Sequence, residues 1–201
     1  MLVKKCAGTV AAFCGLLFCF LLSGCVTEEK DAVTGLEFAK DGTILYRIVE
    51  TFDKEYYSIE SLKTMIDEEI TQYNANTGGR INLQKIEESD LAEDMVVVEM
   101  QYTSYEDYTA FNEVVLFYGT IKDAMNAGYP LDVELINSKG EVLMPTDLQS
   151  SSFIERYICI IEEKVQVTFP DKISFYSREC ELVNKKSIIA NKADGLTYVV
   201  F

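Results

Sequence analysis

Three short runs of carboxylates are the side chains of this sequence that could perform acid–base chemistry. They are the segments IDEE (66–69), EESD (87–90) and IEE (161–163). Two carboxylates on opposite sides of a cleft are what a glycoside hydrolase requires. Because the chain carries 33 acidic residues among 201, adjacent acids also arise from composition alone. The acids of 66–69 lie off the apolar face of a predicted helix, which favours a solvated helix face over a catalytic pair.

Tyrosines are concentrated in a second stretch that could bind a ligand. Two interpretations remain open for them: the rings line a groove, or they pack on a sheet with their hydroxyl groups at its edge. The packed face is the more common use of aromatic residues spaced three apart on a helix. The candidate groove residues are Tyr102, Tyr105, Tyr108 and Tyr118.

The residue types that are missing exclude several classes of site. The chain has no histidine and no tryptophan, which excludes Ser-His-Asp hydrolases and histidine-ligated zinc or haem. No phosphate-binding glycine loop occurs. The calcium template fails at both Asp-Gly pairs, because Ala39 and Lys192 occupy the middle ligand position. The sequence therefore implies no cofactor, no metal and no catalytic residue.

The N-terminus has the layout of a secretory signal peptide. Lys4 and Lys5 precede an uncharged apolar run from Ala7 to Leu22, and the small residues Ser23 and Gly24 follow. This run is near the length of about 17–25 residues that spans a bilayer as a helix. An uncleaved membrane helix is therefore the alternative interpretation.

The residue after this run favours cleavage. The tetrapeptide LSGC (22–25) resembles the lipobox of bacterial lipoproteins. The resemblance implies that the thiol of Cys25 receives a diacylglyceryl group and that a peptidase cleaves between Gly24 and Cys25. Each buried methylene contributes about 0.8 kcal/mol, so two or three acyl chains anchor a protein stably. We therefore expect a lipoprotein on the extracytoplasmic side of the cell membrane.

The rest of the chain predicts one domain behind this anchor. Residues 25–34 form the lipidated cysteine and a flexible leash, and residues 35–201 form a single domain without an internal linker. Removing residues 1–24 removes two lysines and no acid, which leaves a net charge of −17. This charge argues against nucleic acid as a partner and against anionic polymers.

Two cysteines remain in the predicted domain. Cys159 and Cys180 could form one disulfide, since the domain is exported. We expect instead two buried, unreactive thiols, because both lie in apolar or alternating segments that predict strands.

The hydrophobic pattern predicts an α+β fold with a largely antiparallel sheet and helices on one face. The same pattern predicts a long helix over 58–79 and two short helices over 104–112 and 119–130. The C-terminal third from Phe153 is predicted to be all β. Asp41-Gly42 predicts a hairpin with a type I′ turn.

Beyond the lipobox, three segments carry a resemblance over most of the mature chain. These segments resemble a set of lipoproteins of Gram-positive anaerobes that have no assigned function. They are KDGTI with the helical segment that ends in TQYN, then MQYTSYEDYTAFN, and then LFYGTIKDAMNAGY. The resemblance implies anchoring and a single domain, and no catalytic residue. The favoured hypothesis is a non-enzymatic module that binds an envelope protein or surface polymer. The alternatives are a carboxylate-dependent enzyme acting on glycans and a small solute-binding lipoprotein.

Overall fold

A computed structural model describes residues 33–54, 56–89, 94–191 and 195–201. The residues from 33 onward belong to one compact unit. Four helices occur in them: α1 (Ile59–Thr77), α2 (Tyr105–Asn112), α3 (Ile121–Asn126) and α4 (Pro145–Leu148). The first seven strands are β1 (Gly35–Phe38), β2 (Ile44–Thr51), β3 (Ile81–Glu88), β4 (Met95–Tyr102), β5 (Leu116–Thr120), β6 (Leu135–Ile136) and β7 (Val142–Leu143). The remaining strands are β8 (Tyr157–Ile161), β9 (Gln166–Thr168), β10 (Phe175–Ser177), β11 (Glu181–Asn184), β12 (Ser187–Ile189) and β13 (Thr197–Val200).

The strands form two mostly antiparallel sheets, which confirms the α+β class. The first sheet has the order β11-β12-β9-β1-β2-β4-β3, and the second has the order β5-β8-β13-β10-β6-β7. Among the described strands, one pair is parallel, between β1 and β9. The hydrophobic pattern of the sequence predicted a single sheet. The division into two follows from pairings between strands far apart in the chain, which hydrophobic alternation does not specify.

The long helix α1 begins and ends where its capping residues are. The side chain of Ser58 accepts a hydrogen bond from the backbone N–H of Ser61 at the N-terminus. Gly78 ends the helix in the left-handed conformation with φ 83°, which glycine adopts without steric cost. The apolar positions predicted from the 3.6-residue period all pack against the core: Ile59, Leu62, Ile66, Ile70 and Tyr73.

The two short helices also start at the predicted polar residues. Ser104 caps α2 by accepting from the N–H of Asp107. Thr120 and Asp123 form a reciprocal capping box at α3. A cap of this kind stabilises a helix by about 1 kcal/mol, so local sequence alone accounts for these starts.

Two apolar clusters lie on the two faces of the second sheet. The first core cluster joins both sheets with α1 and α2, and the second core cluster lies between the second sheet and α3. The central strand β8 contributes to both, because Cys159 and Ile161 face the first cluster whereas Ile158 and Ile160 face the second. This confirms the two-sided strand that its continuous apolar run predicts.

Local predictions failed at several points. The hairpin at 39–43 forms, but Gly42 has positive φ and Asp41 does not. The N–H of Gly42 bonds the carbonyl of Ala39 and the N–H of Ala39 bonds that of Thr43, which fits a three-residue loop with a glycine bulge, not type I′. The strand predicted from Phe153 begins only at Tyr157, and the helix α4 was not predicted.

Candidate functional site

Two of the four candidate groove tyrosines lie in the interior. Tyr102 and Tyr108 are fully buried in the first core cluster. Their rings meet edge to face with centroids 5.0 Å apart, and Tyr46 meets Tyr108 in the same way at 5.3 Å. These positions give a ligand no access, and they match the alternative of a packed aromatic face.

The hydroxyl group of Tyr108 forms a hydrogen bond with a carboxylate at the edge of this interior region. It donates a hydrogen bond of 2.5 Å to Oε2 of Glu163, a half-buried residue between β8 and β9. Burial raises the pKa of Glu163, the bond from Tyr108 opposes that increase, and Glu162 adds to it. Burial also holds the pKa of Tyr108 well above its usual value, so this hydroxyl stays a donor. The pair joins α2 to the connection between the two sheets.

A second polar group holds α1 and α2 together. Asp107 is 4% exposed and accepts hydrogen bonds from three side chains. Tyr73 donates at 3.1 Å, Ser104 at 2.9 Å and Arg80 at 3.3 Å. Because a buried carboxylate is costly unless it is paired and hydrogen-bonded, these contacts explain how Asp107 is accommodated. These bonds connect the start of α2 to Tyr73 of α1 and to Arg80.

The other two candidate tyrosines are half-buried and lie in different surroundings. Tyr105 packs edge to face on Phe117 at 5.3 Å. Tyr118 stacks on Phe38 at 4.8 Å. The four tyrosines named from the sequence therefore do not line one groove, which corrects that hypothesis.

Tyr118 belongs instead to a group of five rings that the sequence pattern did not predict. We call this the open-end aromatic cluster: Phe38, Tyr118, Tyr157, Phe169 and Phe201. Successive centroids lie 4.6–5.9 Å apart. Phe38 and Phe169 are buried, whereas Tyr157 is 51% exposed. The cluster thus runs from the core to the surface and ends in one exposed ring.

Strand register places these rings on one face and at one end. Tyr118 pairs with Cys159 and Thr120 pairs with Tyr157, so Tyr118 and Tyr157 share the face of the second sheet that meets the first core cluster. Phe38 ends β1, and Phe169 follows the parallel strand β9. The only hint in the sequence was Tyr118, since the parallel pairing that brings Phe38 and Phe169 together is non-local.

The chain enters the domain at the other end of β1. Before Gly35, the hydroxyl group of Thr34 still bonds the backbone of Val49 near the end of β2. Phe38 lies beside Ile44, where β2 begins. Phe38, the member of the open-end aromatic cluster on β1, therefore lies at the opposite end of this strand from Thr34.

The predicted carboxylate runs lie on three different segments: α1, the end of β3, and the end of β8 with the connection that follows it. On α1, Asp67 pairs with Lys63 at 2.5 Å, and burial raises the pKa of Glu69. A shallow polar depression on this helix is lined by Thr64, Asp67, Glu68, Thr71 and Gln72. Glu87 pairs with Lys85 on β3, and Asp90 of that run lies outside the described residues. Within the part of the chain that the structure describes, no group of His, Cys, Asp and Glu side chains could hold a metal ion.

The two domain cysteines differ in environment. Cys159 is buried in β8, and burial raises the pKa of its thiol, with a further increase from Cys180. Cys180 lies in a turn before β11, so the prediction that it occupies a strand was wrong. Its side chain is half-buried and packs against the first core cluster, so it faces inward as predicted. Its N–H bonds the carbonyl of Ser177, which belongs to that turn. No disulfide joins the two described cysteines.

The proposed lipidation and cleavage residues, Gly24 and Cys25, lie outside the described residues. In the described ranges, no helix is long and apolar enough to cross a bilayer. Comparison with family models, with characterised proteins and with solved structures found no match for this chain.

Proposed function

We propose that this protein is a lipid-anchored binding module on the extracytoplasmic side of the cell membrane. The observation that carries the proposal is the tetrapeptide LSGC (22–25) directly after an uncharged apolar run and a pair of lysines. A thiol at this place serves as the acceptor for a lipid, and the small residues before it allow a peptidase access to the backbone. The anchor is diacylglyceryl on Cys25, which becomes the first residue of the mature protein.

The length of the leash limits where the domain sits. Seven residues separate Cys25 from Val33, the first described residue. An extended chain advances by at most about 3.3–3.6 Å per residue, so Val33 lies within roughly 28 Å of the anchored cysteine. The domain is therefore tethered to the membrane through the segment that precedes Thr34.

Binding is favoured over catalysis by the position of the polar groups. Tyr108 and Glu163 form a hydrogen-bonded pair in which both pKa values are raised, and the ring of Tyr108 is wholly buried. The acids on α1 lie on an open helix surface. A solute-binding lipoprotein would use a cleft between lobes, and the residues from 33 onward make one unit. The partners that fit are an envelope protein or a surface polymer, and the strongly acidic composition argues against nucleic acid.

The anchor is tested by metabolic labelling with an alkyne fatty acid in a bacterial host. We expect the wild-type protein to carry the label and to sediment with membranes. Cys25→Ser should lose the label and accumulate as the uncleaved precursor. Cys14→Ser, a change in the apolar run, is the matched control and should be labelled like the wild type. Label retained on Cys25→Ser, or equal loss in both variants, would refute the lipid anchor.

A further inference from the structure

We propose that an aromatic patch beside the N-terminal attachment lies in the headgroup region of the lipid bilayer, an inference that rests on the proposed lipid anchor. We call it the entry-end aromatic patch: Phe52, Tyr56 and Tyr57. The juxtaposition that carries the proposal is an exposed tyrosine just beyond the end of β2, the same end of that strand at which the N-terminal segment joins the fold.

Strand register places the patch and the attachment at one end of the first sheet. Gly35 lies opposite Arg47 in the antiparallel pair of β1 and β2, so residues before Gly35 lie beside the second half of β2. The hydroxyl group of Thr34 accordingly accepts from the N–H of Val49 at 2.9 Å and donates to its carbonyl at 3.2 Å. Phe52 follows three residues later, so its Cα atom and that of Val49 lie at most about 11 Å apart.

The patch is fixed to the core and exposes its outermost ring. Phe52 packs against the first core cluster. Tyr57 stacks on Phe52 at 4.8 Å, and Tyr56 meets Tyr57 edge to face at 4.9 Å. The N–H of Tyr57 also donates to the carbonyl of Lys54 at 2.9 Å, which closes a turn. Tyr56 is 79% exposed, more than any other large apolar side chain in the described part of the chain.

The chemistry of the patch fits a lipid surface. Tyrosine is enriched where membrane meets water, because its ring is apolar and its hydroxyl group stays hydrated. A bilayer surface is flat, so contact with it requires an exposed ring and no cavity. Val33, which is 36% exposed, adds an apolar side chain directly beside the attachment. Lys54 and Asp53 form an ion pair at 3.0 Å, so their two charges offset each other next to the rings.

The tether makes a small patch sufficient. One exposed ring would bind a free protein to a membrane only weakly. Seven residues separate Cys25 from Val33, and a short flexible linker gives an effective concentration of the order of millimolar. The patch therefore meets the bilayer repeatedly once the lipid is inserted, and a weak preference is enough to orient the domain. The net negative charge of the chain gives no attraction to anionic lipids, so the contact depends on the neutral rings.

The test uses the absence of tryptophan from the chain. Tyr56→Trp places a single fluorescent reporter in the patch. Tyr157→Trp is the matched control, because Tyr157 is also exposed, at 51%, but lies on β8. Each protein is produced in a bacterial host, purified in detergent and reconstituted into phosphatidylcholine vesicles that carry bromine at the top of the acyl chains. We expect the emission of Tyr56→Trp to fall by about half or more, and that of Tyr157→Trp to change little.

A second measurement avoids the preference that tryptophan itself has for membrane interfaces. Hydroxyl-radical oxidation of the wild-type protein in the same vesicles, mapped by mass spectrometry, reports water access to each tyrosine. Exposure in the fold ranks Tyr56 above Tyr157. Contact with the bilayer should reverse this order, so that Tyr157 is oxidised faster than Tyr56.

Flotation of the vesicles and the mass of the N-terminal peptide separate this inference from the anchor itself. The inference is overturned, and the anchor stands, if lipidated protein floats but the two tryptophan reporters are quenched alike, neither is quenched, or Tyr56 remains the faster oxidised. Protein that lacks the lipid mass on Cys25 and does not float would reject both proposals.

Discussion

Tyrosine side chains have different roles in the interior region beneath α2 and in the open-end aromatic cluster. In the interior region, Tyr108 is fully buried and its hydroxyl group is committed to Glu163. In the open-end aromatic cluster, Tyr157 packs on Tyr118, which stacks on the buried Phe38, and Tyr157 keeps half of its surface in solvent. A tyrosine whose ring is packed in the core and whose hydroxyl group is hydrogen-bonded within the protein stabilises the fold. A tyrosine that is fixed in place but exposed is available to a ligand.

The largest expected difference between the two regions is in stability. Tyr108→Ala removes a buried aromatic ring and should lower the free energy of unfolding by about 3–5 kcal/mol. Tyr157→Ala should cost less than about 1 kcal/mol, because half of its ring is already hydrated. Urea denaturation followed by circular dichroism measures both changes. Equal losses in the two variants would remove the distinction between the regions.

The next effect separates the ring of Tyr108 from its hydroxyl group. Tyr108→Phe keeps the packing but leaves the half-buried carboxylate of Glu163 without its donor, which should cost about 1–3 kcal/mol. The loss should be smaller when Glu163→Leu is also present, because no carboxylate then needs the bond. A double-mutant cycle by urea denaturation measures this coupling. A coupling energy near zero would show that the hydrogen bond adds nothing to stability.

The smallest effect is the dependence of stability on pH. Burial raises the pKa of Glu163 above its ordinary value of 4.5. The folded state therefore holds this proton more tightly than the unfolded state, so the contribution is present below pH 4.5 and is lost as the pH rises through the folded-state pKa. Glu163→Gln lacks this titration and should gain stability relative to the wild type between pH 4 and pH 7.

The pH comparison has a built-in control. Burial also raises the pKa values of Glu50 and Glu69, so both proteins share the pH dependence that these groups impose. The difference between Glu163→Gln and wild type isolates Glu163. A difference that stays constant with pH, or that moves in the opposite direction, would contradict the assignment.

Local sequence predicted the parts of the fold that depend on local chemistry. Ser58, Ser104 and Thr120 start the helices because a side-chain oxygen there satisfies a backbone N–H that the helix leaves unpaired. The buried strand β8 was recognisable because it is apolar on both faces. In contrast, Cys180 was assigned to a strand because a glutamate on either side imitates alternation, whereas a turn holds it.

The open-end aromatic cluster could not be predicted from local sequence, because it depends on pairing between strands far apart in the chain. Phe38 and Phe169 are 131 positions apart in the chain, and they stack because β1 and β9 run parallel. No pattern within either segment reveals that pairing. Tyr102 and Tyr118 were grouped by their closeness in sequence, yet β4 and β5 lie in different sheets. Proximity along the chain was therefore misleading for the one feature that depends on long-range pairing.

Chemical modification of tyrosines, mapped by mass spectrometry, tests the distinction most directly. Brief nitration of the native, full-length protein should modify Tyr157 and Tyr56, which are 51% and 79% exposed, and spare the buried Tyr102 and Tyr108. Modification of Tyr108 at the rate of Tyr157 would contradict the account.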